Sequence, residues 1–200
     1  MINLKLINAL LKPGLAFKRI ANSDSYSAGL LQKTVPFLLI LPPVFIWLGS
    51  NLFGWRLGAG EAIYFDSTAL VIISFCYFAV LCLGYFSTVF LAQWMGMTYG
   101  ADKPLKVYFA LVSVVYLPLL VASIAHLYPN AFINLLVLLP TLIWCMSLLY
   151  RGLPVALEIP PERGMLMSSS IVGWLLVGAV SILGISVGLW TIGLGPTIAV

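Results

Sequence analysis

Long apolar stretches alternate with short polar clusters along this chain, and the clusters hold all of its charge. Lys33 to Arg56 encloses 22 uncharged residues, Asp66 to Asp102 encloses 35, Lys106 to Arg151 encloses 44, and 37 follow Arg163. A hydrocarbon core about 30 Å thick needs about 20 apolar residues per helix at about 1.5 Å rise each. The pattern predicts an all-α polytopic membrane bundle. The 44-residue stretch is too long for one helix, and His126-Leu127-Tyr128-Pro129-Asn130 supplies a turn near its middle. Five spans result, at about 34–53, 67–94, 105–125, 131–150 and 168–192. They form a transmembrane domain over 33–192, preceded by an interfacial segment at 1–32 and followed by a short tail at 193–200.

Helix-breaking residues refine this picture. Pro36, Pro42 and Pro43 crowd the first half of span 1 and predict a kinked or unwound start, and Pro118 predicts a kink in span 3. Ser168, Ser169 and Ser170 offer N-cap hydroxyls to span 5. Gly184 and Gly188 form a G-x-x-x-G in span 5, and Gly84, Thr88 and Ala92 form a small-residue ridge in span 2. Both suit close helix approach, either within the chain or between copies in a homo-oligomer.

Polar spacing within the first 32 residues has a different period. Lys5, Asn8 and Lys12 recur at helical intervals opposite Leu6, Ile7, Leu10 and Leu11. Pro13 then restarts the chain, with Phe17 and Ile20 on one side and Lys18 and Arg19 on the other. The segment reads as an amphipathic surface helix whose Lys5, Lys12, Lys18 and Arg19 meet lipid phosphates. Lys5 and Lys12 interrupt any signal-peptide core, and no small-x-small site follows.

Composition agrees: 62% of residues are hydrophobic and the mean hydropathy is +1.09, which excludes a water-facing surface. Charge fixes the expected orientation. With a cytoplasmic N-terminus, the inside segments hold Lys5, Lys12, Lys18, Arg19, Lys33, Lys103, Lys106, Arg151 and Arg163, and the outside segments hold only Arg56. That asymmetry predicts N-in, C-out. Trp47, Trp55, Trp94, Tyr64, Tyr99, Tyr128 and Tyr150 fall near span ends, where interfacial aromatics belong.

Groups for chemistry are scarce. No Asp, Glu, Lys or Arg lies mid-span, which argues against ion-coupled transport. Cys76, Cys82 and Cys145 fall inside spans without metal-ligand spacing and read as small apolar fillers. His126 has neither a second histidine nor a carboxylate in its turn, so it reads as an interfacial histidine. No G-x-S-x-G, Ser-Lys or phosphate-binding loop occurs, and the basic residues form no aromatic-interleaved nucleic-acid patch. These absences predict no enzymatic activity, no cofactor, no metal and no nucleic-acid partner.

The densest polar surface beyond the N-terminus is the segment 151–164. Arg151, Gly152, Pro154, Glu158, Pro160, Pro161, Glu162 and Arg163 there form a proline-stiffened cytoplasmic loop, read either as a partner-binding site or as a stiff connector.

Three stretches carry a resemblance. They are Leu11-Lys12-Pro13-Gly14-Leu15-Ala16-Phe17-Lys18-Arg19-Ile20, Tyr116-Leu117-Pro118 followed by His126-Leu127-Tyr128-Pro129, and Leu149 to Pro154 continuing through Pro160-Pro161-Glu162-Arg163-Gly164 to Ser170. With the five-span plan, they make the chain resemble the Yip family of Rab-interacting membrane proteins, in its bacterial branch of small inner-membrane proteins. Ser113-Val114 stand about where family members carry Gly-Tyr. The resemblance implies five helices, a cytosolic N-terminus and a membrane adaptor or organiser role, but no reaction. It lacks the long cytosolic N-terminal region of eukaryotic members, so Rab binding is not carried over. The competing expectation is a carrier, channel or flippase for an apolar or lipid-like substrate, motivated by Pro36, Pro42, Pro43, Pro118 and Pro140.

Overall fold

The computed structural model describes residues 9–22 and 33–193. Lys5 and the rest of 1–8, residues 23–32 and the tail beyond Gly193 lie outside the described residues. All of the longer elements are helical. A short helix α1 (Pro13–Ala21) precedes α2 (Leu41–Phe53), α3 (Ser67–Tyr99), α4 (Leu105–Ala122), α5 (Ala131–Leu157) and α6 (Pro161–Thr191). With a preceding turn of helix from Lys33 joined to α2, and a 3₁₀ extension Ser123–Leu127 joined to α4, five helical segments are long and apolar enough to cross a membrane.

Local chemistry sets the helix ends. Pro13 and Pro161 occupy first helical positions, where a missing N–H costs nothing. Asp66 caps α3 by accepting from the Thr68 N–H at 3.0 Å, and Asn130 caps α5 by accepting from the Phe132 and Ile133 N–H groups. Gly100 ends α3 in the left-handed region at φ 83°, and the Ala101 N–H reaches back to the Gly96 carbonyl. The proline cluster interrupts span 1 as its density predicts. Helix from Lys33 gives way to a turn at Leu39–Ile40 before α2 restarts with Pro42 and Pro43 in its first turn.

Helix α4 is the axis of the bundle. It packs on α5, α3 and α1, and Leu111, Val112, Ser113 and Val114 along it are fully buried. The Tyr85 hydroxyl of α3 meets the Ser113 hydroxyl at 2.8 Å inside this core, so Ser113 joins two helices. The small-residue ridge of α3 also faces α4. A Cβ added at Gly84 would lie 3.4 Å from the Tyr116 hydroxyl, and Thr88 and Ala92 are buried.

Several expectations need correction. Helix α3 runs 33 residues to Tyr99, beyond Trp94, so at about 1.5 Å per residue it overreaches the hydrocarbon. Helix α6 begins at Pro161, so Ser168, Ser169 and Ser170 are interior residues and cap nothing. Instead, the Ser168 hydroxyl donates to the Leu149 carbonyl, Ser169 meets the Tyr150 hydroxyl, and Ser170 donates to Leu166 within its own helix. A Cβ added at Gly184 or Gly188 would meet no other part of the described chain within 4 Å. From Ala179 to Gly193 every described residue is exposed, so the G-x-x-x-G packs against no other helix among the described residues.

Candidate functional site

Two polar regions stand at opposite ends of the bundle. One gathers α1, the α3–α4 turn and the α5–α6 junction. The other gathers the α2–α3 connection, the 3₁₀ extension of α4 and the start of α5.

At the first end, α1 carries the two-sided pattern read from its sequence. Phe17, Ile20 and Ala21 are buried, while Lys18 and Arg19 are exposed. Phe17, Ile20 and Ala21 are covered by protein, because α1 docks on α5 and α4. Its seat is Gly152, where a Cβ would lie 2.3 Å from the Phe17 ring. Only hydrogen at that position admits the aromatic ring. Leu11 and Leu15 remain 70% and 52% exposed beside Lys12, Lys18 and Arg19, a mixed face suited to the lipid–water boundary. Lys12 forms the N-terminal boundary of α1, its carbonyl accepting from Leu15 and Ala16.

The segment 151–164 is not a loop. Helix α5 continues through Arg151, Gly152 and Pro154 to Leu157, and only Glu158 to Pro160 separate it from α6. Pro154 forfeits one helical hydrogen bond but lies against Gly164 of α6, where a Cβ would come within 2.7 Å of the proline ring. The close approach of these two residues is what the proline and glycine provide. Glu158 ends α5 in the left-handed region at φ 56°, the lone non-glycine residue so placed among those described. The Ile159 N–H turns back to the Pro154 carbonyl, as in a Schellman-type cap.

Two ties then bind this junction to the α3–α4 turn. Lys103 pairs with Glu158, and Arg163 Nη1 donates to the Tyr99 carbonyl at 3.1 Å. Pro160, Pro161 and Glu162 remain exposed beside them. Arg151 is exposed on α5 and faces a groove shared with Lys18. The structure therefore brings Lys18 near Arg151 and Arg163 near Tyr99, while Gly184 and Gly188 stand apart in the unpacked half of α6. Pro36, Pro42 and Pro43 shape the start of span 1, and Pro118 is buried within α4.

Sequence reading missed the organisation of the second end. The His126 Nε2 lies 3.0 Å from the Tyr77 hydroxyl, and its Nδ1 meets Asn134 Oδ1. Asn134 Nδ2 donates to the Tyr128 and Asn130 carbonyls, which leaves Oδ1 to accept. His126 Nδ1 is therefore the donor to Asn134, and its Nε2 shares a hydrogen bond with the Tyr77 hydroxyl. Asn130 Nδ2 donates to the Gly58 carbonyl, and backbone bonds join Arg56 to Pro129 and Ala131. Three helices and the α2–α3 connection are thereby laced together. The four-residue spacing of His126, Asn130 and Asn134 is the one signal that pointed here. Tyr77, 49 residues away from His126, had none.

The Yip1 domain matches residues 7–194 of this chain. The inner membrane protein YohC of Escherichia coli strain K12 is 26% identical over 162 residues, covering 80% of this chain and 82% of YohC, and YohC of E. coli strain O6:H1 matches to the same extent. No solved structure matches. A domain match over nearly the whole length, on a bundle of five long apolar helices, makes this chain an integral membrane protein of the Yip1-domain family.

Proposed function

We propose that the protein is a non-enzymatic membrane adaptor or organiser of the bacterial inner membrane. In this reading the N-terminus is cytoplasmic and the C-terminus periplasmic. The observation that carries it is the concentration of cations at one end. Lys12, Lys18, Arg19, Lys103, Arg151 and Arg163 all belong to α1, the α3–α4 turn and the α5–α6 junction, and the opposite end holds Arg56. Cations retained on one side set orientation. On that side Lys12, Lys18 and Arg19 meet anionic lipid, and the surface from Pro160 to Arg163 meets a protein. The ties to Lys103 and Tyr99 hold that surface in one shape, so a partner binds it without first ordering it.

A photoreactive residue at Glu162 in native membranes tests the partner reading. A discrete protein adduct, absent when the group sits at lipid-facing Val180, is expected; identical adduct patterns from both positions overturn it. An alkaline phosphatase fusion after Gly193 tests orientation, with activity expected for a periplasmic C-terminus. The carrier reading has less support, because a route along the bundle axis meets α4, which is 67% buried over an 18-residue apolar stretch.

A further inference from the structure

The groove between α1 and α5 encloses about 350 Å³ and is lined by Gly14, Phe17, Lys18, Trp144, Ser147 and Arg151 among others. Its two ends differ in chemistry. Lys18 and Arg151 are exposed, and among the described residues neither has an ion-pair partner. Trp144 lies seven residues before Arg151 on α5, about 10 Å deeper at 1.5 Å per residue, and is 45% exposed. A cationic mouth above an aromatic wall complements an amphiphile with an anionic head.

Gly14 adds an independent observation. Gly152 is required because a side chain would strike Phe17, but nothing lies within 4 Å of a Cβ at Gly14. Glycine is a poor helix residue, and among the described residues no packing contact explains it here. Its missing side chain leaves the mouth of the groove open.

We propose that this groove holds one anionic phospholipid, its phosphate between Lys18 and Arg151 and its acyl chains leaving along Trp144. This rests on the reading of α1 as lying at the lipid boundary, but it commits to a single seated lipid. Its test measures lipid retention alone, independent of which side of the membrane α1 faces and of any protein partner.

The full-length protein in mild detergent, mixed with phosphatidylglycerol or phosphatidylcholine, is to be measured by native mass spectrometry. One phosphatidylglycerol per chain is expected, retained over phosphatidylcholine by about 30-fold if each cation contributes as surface cations do. The double variant Lys18→Gln, Arg151→Gln should erase that preference, while the charge-matched Lys33→Gln, Lys106→Gln keeps it. Gly14→Leu retains every charge, suits a helix better and should still lose the lipid. If the first double variant does not fold, Gly14→Leu decides alone. Equal retention of the two lipids overturns the proposal. So does equal loss in both double variants, which marks diffuse charge, or unchanged retention in Gly14→Leu.

Discussion

Over an 18-residue apolar stretch of each, α4 and α6 have nearly equal hydropathy, yet 67% of that stretch is buried in α4 and 6% in α6. In water such equality would place both in the core. In lipid the apolar surface gains little from choosing protein over acyl chains, so packing is decided by shape and by hydrogen bonds. Helix α4 has those devices: Ser113 meets Tyr85, the Tyr108 hydroxyl reaches the Ala101 carbonyl, and Gly96 of α3 makes room for the Tyr108 ring. Helix α6 has them only in its first half, where Ser168, Ser169 and Trp174 bond across to α5 and α3. Beyond Trp174 the helix keeps its hydropathy but makes no such bond to another helix among the described residues.

Substitutions test this contrast. Gly152→Leu should be the most damaging, because the new side chain occupies the place of the Phe17 ring. Overpacking of this kind costs about 3 kcal/mol, to be read as a lowered thermal midpoint in detergent together with protease access to α1. His126→Phe comes next. It removes the links to Tyr77 and Asn134 and should cost about 1–2 kcal/mol, since polar partners are left in a part-buried site. Glu158→Gln removes the ion pair with Lys103, where a water-exposed pair is worth at most about 1 kcal/mol, and high salt should mimic the change. Gly188→Leu should be the mildest, within about 0.5 kcal/mol, because nothing lies near it. A midpoint that falls with this last variant, and more steeply at low protein concentration, would mean that a second copy covers α6.

Much of the fold was legible because hydrocarbon thickness, charge clusters and proline chemistry act locally. The five spans, the restart at Pro13 and the break in span 1 all follow from neighbours in sequence. The site was less so. Pro154 and the Pro160-Pro161 pair suggested a loop, yet Pro154 is accommodated inside α5 by Gly164, and Pro160 only bounds α6, which Pro161 begins. A proline's effect depends on what packs against it, and a neighbour ten residues away across a turn is not a local signal. The two-sided pattern of α1 was plain. That its apolar side is met by protein depends on Gly152, which carries no pattern of its own.

The seat of α1 also has a consequence in time. Phe17 leaves the ribosome long before Gly152, and three complete spans and most of α5 must be laid down between them. During that interval α1 lacks the Gly152 seat, so Phe17 and Ile20 are not covered by α5 until it arrives. The docked helix is therefore a record of completed insertion, and a nascent chain halted before residue 152 should leave Phe17 accessible to a lipid-borne quencher or probe.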